Sequence, residues 1–190
     1  MARAHQVFQA SEARDLFYRL STWLMDRALA GEPPFSKTEA LSVLLQTWNR
    51  GYYQRQRKPF DEAHISAIDS LLERHATALG AFRARSIETA SNADEDIVRG
   101  IFSEFESVLG PTGSSKALHM LAPRFFPLWD TTIAERAYRL HRRDAADYWK
   151  LVVYTREQAL AVGGELGLGR NPVKAIDEYN YCRYTLGLLG

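Results

Sequence analysis

The chain has a single cysteine, Cys182, so no disulfide can form within it, and its cysteine usage fits a reducing compartment. It has no apolar run approaching the ~20 residues that span a bilayer, and its first residues, MARAHQVFQASEARDLF, carry no secretory-type segment. Charge of one sign is also missing: 24 basic against 23 acidic residues leave +1, where a dedicated nucleic-acid binder is usually more basic. Strand-period alternation, internal repeats and low-complexity tracts are absent. The histidines, His5, His64, His75, His119 and His141, show neither HExxH spacing nor cysteine pairs, so no metal site and no cofactor are expected. These absences point to a cytoplasmic globular protein without membrane contact. With 46% hydrophobic residues over 190 positions, residues 1–190 suffice for one core and one domain.

What the chain does have is helical periodicity, almost throughout. Leu16, Leu20, Trp23 and Leu24 make one stripe, and Leu41, Leu44, Leu45, Trp48 and Tyr52 a second. Ile65, Ile68, Leu72 and Leu79 follow, then Ile97, Ile101, Phe105 and Val108. Three more stripes run through Trp129 to Leu140, Trp149 to Leu160 and Val173 to Tyr184. Helix-start signals fall between them: Ser36 with Glu39 as a capping box, Asp61, Ser91 or Asn92, and Asn171 before Pro172. Pro59 and the glycine-rich run 163–170 read as stops. The pattern predicts an all-α, single-core domain of seven to nine helices, with Trp23, Trp48, Ile68, Phe105, Leu121, Ile133 and Val152 inside.

The stretch VLGPTGSSKALHML, residues 108–121, superficially matches a phosphate-binding loop. The match fails where chemistry needs it. Ser115 stands where the second glycine belongs, Ala117 replaces the magnesium-binding hydroxyl, and the preceding DIVRGIFSEFESVLG has helical rather than strand spacing. The segment instead predicts a helix, a glycine turn and a second helix starting near Lys116, a helix–hairpin–helix-like element near residues 95–121. The amide groups at such a helix start can hold a phosphate. The plainer reading is a helix connection with Ser114 or Ser115 as the cap.

Downstream come the aromatic bend RFFPLWD and the helix TTIAERAYRL. A lysine after a glycine turn, followed by an aspartate opening the next helix, resembles the helix–hairpin–helix DNA glycosylase superfamily, 8-oxoguanine glycosylase-like. The resemblance covers about 30 residues, from Val108 to Leu140. It implies that Gly110, Gly113, Ser114 and Ser115 grip the backbone of double-stranded DNA, that Lys116 is the nucleophile and that Asp130 is catalytic. Trp129 then stands just before the aspartate, and His119, one turn beyond Lys116, is placed to tune the lysine or touch phosphate. Two departures stand out: two serines separate Gly113 from Lys116, and only 14 residues separate Lys116 from Asp130. SSKALHMLAPRFFPLWDTTI also resembles a segment of bacterial helical proteins of similar length with no known activity.

The residue types suit the implied chemistry, since a neutral lysine amine can attack a sugar C1′ and a carboxylate can stabilise the charge that develops there. Asp130 is equally well placed to cap its helix. Trp48 with Asn49 reads either as core or as a surface that stacks a base and contacts its edge. Asp177 and Asn180 fall within the last apolar stripe; they either bond another helix, the expected role, or line a pocket. The basic stretches 50–58 and 136–143 read first as solvated helix faces. The functional expectation is a base-excision glycosylase or lyase. A non-catalytic nucleic-acid-binding protein and a helical interaction module remain as alternatives.

Overall fold

Ser36 accepts a hydrogen bond from the Glu39 amide while the Glu39 carboxylate accepts one from the Ser36 amide, a complete capping box. Asp61 caps its helix through His64 N, Asp130 through Ile133 N, and Asn171 through Val173 N and Lys174 N with Pro172 in the first turn. Short polar side chains therefore set the helix starts where their spacing predicts. The structure, a computed structural model, describes residues 1–13, 15–32, 34–56, 60–163 and 170–189. The stops expected at Pro59 and within residues 164–169 lie outside the described residues.

Ten α-helices are described: α1 (Ala2–Ser11), α2 (Asp15–Leu29), α3 (Lys37–Trp48), α4 (Arg50–Gln56), α5 (Glu62–Arg74), α6 (Ala76–Arg83), α7 (Glu95–Leu121), α8 (Thr131–Tyr138), α9 (Ala145–Val162) and α10 (Pro172–Asn180). The last runs into one π-helical turn, Tyr181–Thr185. The count exceeds the expected seven to nine because two of the seven apolar stripes are each broken once and α1, which belongs to none of them, adds a tenth helix. Asn49 ends α3 before α4, and His75 separates α5 from α6. Among the described residues no strand occurs, and no helix is long and apolar enough to cross a membrane.

α7 is two helical segments joined at Gly110, whose φ of 69° lies in the left-handed region. A Cβ there would also stand 2.5 Å from the Tyr52 ring. Pro111, with its fixed φ, then opens the second segment. The glycine break falls where the sequence places it, but the following helix begins at Pro111 rather than near Lys116. Gly113, Ser114 and Ser115 are consequently inside a helix and buried, not displayed at an open helix start. Ser114 bonds back to the Gly110 carbonyl at 2.7 Å and Ser115 to that of Thr112 at 3.1 Å. Neither serine is the cap.

The core runs from α2 and α3 through both segments of α7 to α9 and α10. Ile68, Phe105, Leu121, Ile133 and Val152 are buried in it as expected, and Trp48 is half-buried. Trp23 is not buried: it is 52% exposed, with Leu16 and Leu20 also facing out. α2 buries Asp15, Tyr18, Ser21 and Met25, and of the expected stripe only Leu24. Tyr18 finds a hydrogen-bond partner inside, and Asp15 a buried cation at a loose 3.5 Å, both described below; these offset the cost of burial fully for neither the carboxylate nor its cation. Arg27 lies over the exposed Trp23 ring, 4.9 Å from its centroid.

Candidate active site

A cavity of about 320 Å³ opens where the second segment of α7, the bend 122–130, α10 and the two chain ends meet. Phe8, Trp48, Trp129 and Tyr181 form its aromatic walls, and Lys116, Asp130, Asp177 and Glu12 bring charge. Its volume sits at the small end of the range for ligand sites, which begins at roughly 300 Å³.

The bend is held by side chains that take up its backbone groups. The Trp129 amide donates to Ser115 Oγ at 2.9 Å, and Tyr148 Oη donates to the Pro127 carbonyl at 3.1 Å. His119 Nδ1 bonds the Phe126 carbonyl at 2.7 Å, and Asn171 Nδ2 donates to the Pro123 carbonyl at 2.8 Å. Phe125 and Phe126 are fully buried and anchor the bend against Phe82. A segment pinned at four backbone positions presents Trp129 and Asp130 in one geometry. Trp129 is buried, and its Nε1–H has no acceptor among the described residues.

Lys116 lies one residue beyond Ser115 on α7. Its Nζ donates to the Trp48 carbonyl at the end of α3 and stands 5.7 Å from the centroid of the Trp48 ring. Asp130 Oδ1 accepts from the Ile133 amide at 3.0 Å, so Asp130 caps α8 and lines the cavity at once. The structure thus brings Lys116, Asp130, Trp129 and Trp48 together.

It does not bring the other expected residues there. Asn49 is buried, donates to the Leu109 carbonyl at 3.2 Å, and packs so closely on Gly113 that a Cβ there would lie 2.5 Å from Asn49 Nδ2. Gly110, Gly113, Ser114 and Ser115 are not among the residues that line the cavity. His119 is fully buried. A carbonyl can only accept, so His119 Nδ1 carries the proton, and Nε2 accepts from Tyr18 Oη at 2.9 Å. Burial pushes the histidine down to about 4, so it is neutral near pH 7 and serves packing. Of the basic stretches, Arg142 and Arg143 pair with Asp144 and Glu135.

Asp177 and Asn180 separate in role. Asn180 Nδ2 donates to Tyr138 Oη at 2.7 Å and ties α10 to α8, as expected. Asp177 departs from the expected bond to another helix: its ion-pair partner, Lys174, is on its own helix at 3.5 Å, and its carboxyl faces the cavity. Lys174 is itself buried, 3.5 Å from Asp15 and 3.9 Å from Glu178, with its Nζ 4.3 Å from the Phe8 ring centroid and 4.7 Å from that of Tyr18. One cation shared by three carboxylates compensates each incompletely. Burial first, with Asp130 and Glu178 nearby, therefore pushes Asp177 up to about 6.

Comparison with protein-family models, curated proteins and solved structures finds no match to this chain. The cavity's meaning rests on its own geometry.

Seven lining residues were not singled out in the sequence: Thr112, Leu128 and Thr131 beside the expected ones, Phe8 from α1 and Glu12 just after it, and Tyr181 and Thr185 from the π-helical turn. α1 docks on the C-terminal region through His5 to Glu178 at 2.8 Å, Phe8 edge-on to Tyr181 and Cys182 Sγ to the Ala4 carbonyl. A usable signal was the polarity of α1 beside Phe8. The π-turn had none.

Proposed function

We propose that the chain removes a damaged base from double-stranded DNA, with Lys116 as the nucleophile and Asp130 as the carboxylate that supports the charge developing on the sugar. The observation that carries this reading is that Lys116 and Asp130, from different elements, line one aromatic-walled cavity. A base turned out of the duplex would enter between aromatic faces, where stacking contributes about 1–3 kcal/mol per base.

The neutral Lys116 amine attacks C1′, and the base departs with the electrons of the glycosidic bond. The sugar ring then opens: C1′–O4′ breaks, O4′ takes a proton, and a C=N bond joins C1′ to Lys116. Attack first requires the Lys116 amine to leave the Trp48 carbonyl, which a four-carbon side chain does by rotation. Because the glycine turn is buried, the DNA backbone is held by other groups than the resemblance implies.

Base release from duplexes carrying 8-oxoguanine, uracil or an alkylated purine tests the reading. Lys116→Gln should abolish release and Asp130→Asn should slow it by about 100-fold or more. No release from any of the three duplexes by the unmodified protein would sink it.

A further inference from the structure

We propose that Asp177 is a second catalytic carboxyl group of this cavity, the acid that protonates the departing base. The inference rests on the base-excision reading.

Three observations point there. First, Asp177 lines the same cavity as Lys116 and Asp130 but comes from α10, so lysine and two carboxyl groups converge from three elements. Second, the two carboxyls are held differently. Asp130 accepts from the Ile133 amide as a helix cap. Asp177 has Lys174 as its ion-pair partner among the described residues, at a loose 3.5 Å. Third, that cation is shared with two carboxylates that have further partners of their own. Asp15 also draws on Gln9 at 3.2 Å and Arg19 at 3.5 Å. Glu178 also draws on His5 at 2.8 Å and Arg170 at 3.1 Å. Among the described residues Asp177 is the member of the cluster with the fewest partners, and burial pushes it up to about 6. A carboxyl group so placed can serve as the acid of a site whose other carboxyl group supports charge.

In the step itself, the Lys116 lone pair forms a bond to C1′ and the C1′–N glycosidic bond breaks toward the base. The Asp177 carboxyl proton goes to the base nitrogen, so the base leaves neutral and Asp177 is left as the carboxylate. Lys116 then loses one proton, which returns through solvent to Asp177, and Lys174 holds the transient carboxylate in the meantime.

A general acid for the base is needed only while a base is present, which makes two substrates decisive. On the lesion duplex that the unmodified protein processes best, Asp177→Asn should slow base release about 100-fold, the lower end of what a positioned acid contributes. On a duplex carrying a preformed abasic site, borohydride should trap the same variant on DNA within about twofold of the unmodified protein. Asp177→Glu should recover part of the lost rate. The abasic arm also reports that the variant is folded. Equal losses on both duplexes would make Asp177 structural, and unchanged base release would remove it from the chemistry; either result overturns the proposal while the Lys116 reading stands. If the unmodified protein forms no adduct on either duplex, the base-excision reading itself fails and this proposal with it.

Discussion

Replacing Asp177 by asparagine should stabilise the protein at neutral pH, and by an amount that depends on pH in a defined way. Asp177 lies between Lys174 and Glu178 on its own helix, faces Asp130 across the cavity, and communicates with Asp15 through Lys174. In the folded protein it titrates at about 6, against 3.8 for a free carboxyl. Below about pH 4 both folded and unfolded chains hold the proton, and the group contributes nothing. Between about 4 and 6 the unfolded chain releases the proton while the folded one keeps it, so stability falls as pH rises. Above that range the full penalty applies. The difference in proton affinity between the folded and unfolded carboxyl corresponds to about 3 kcal/mol. Asparagine keeps the shape and cannot ionise. For a domain of this size the variant should melt roughly 5–10 °C above the unmodified protein at about pH 7.5. The two should converge near pH 4, roughly where a free carboxyl titrates. Melting curves of both proteins across this range give the difference directly, and His119, which titrates in both, cancels. A variant no more stable above neutrality, or a gap independent of pH, would refute the assignment of Asp177 as a carboxyl left largely uncompensated.

Two further substitutions test how the site is framed. Gly113→Ala would place a Cβ 2.5 Å from Asn49 Nδ2 and force the Asn49–Leu109 bond open, so a loss of about 1–3 kcal/mol is expected in denaturant melts. Gly100→Ala, with nothing within 4 Å of its Cβ, should instead be neutral or stabilising; similar effects at both glycines would contradict the packing described. Tyr18→Phe removes the donor to buried His119 Nε2 and should cost about 1–3 kcal/mol, whereas an unchanged melting temperature would show that the bond contributes nothing.

The helix starts were legible because capping is local: Ser36, Asp61, Asp130 and Asn171 each satisfy amides two or three residues away, so the sequence window contains the whole interaction. The break at Gly110 was legible for the same reason. The buried face of α2 was not. Leu16, Leu20 and Trp23 form the better apolar stripe, yet the helix buries Asp15 and Tyr18, whose compensating partners Lys174 and His119 are more than a hundred residues away. Local hydrophobicity cannot register a polar side chain satisfied at that distance. The candidate site divides similarly. Lys116, Trp129 and Asp130 sit in one short segment whose order carries the resemblance. The cavity is closed by α1 and the π-turn at opposite ends of the chain, and only the folded protein brings Phe8, Glu12, Tyr181 and Asp177 to it. The buried turn is the main revision: its glycines are needed for close packing against Tyr52 and Asn49 rather than for an open phosphate grip.

The central claim is that Lys116 forms a covalent bond to a DNA sugar in this cavity, and borohydride trapping tests it most directly. The protein is mixed with duplexes containing an oxidised, deaminated or alkylated base and with an abasic duplex, reduced, digested and mapped by mass spectrometry. A protein–DNA adduct is expected on the peptide containing Lys116, absent in Lys116→Gln and formed more slowly on the base-containing duplexes by Asp130→Asn. No adduct on any duplex, or one on a different residue, would contradict it.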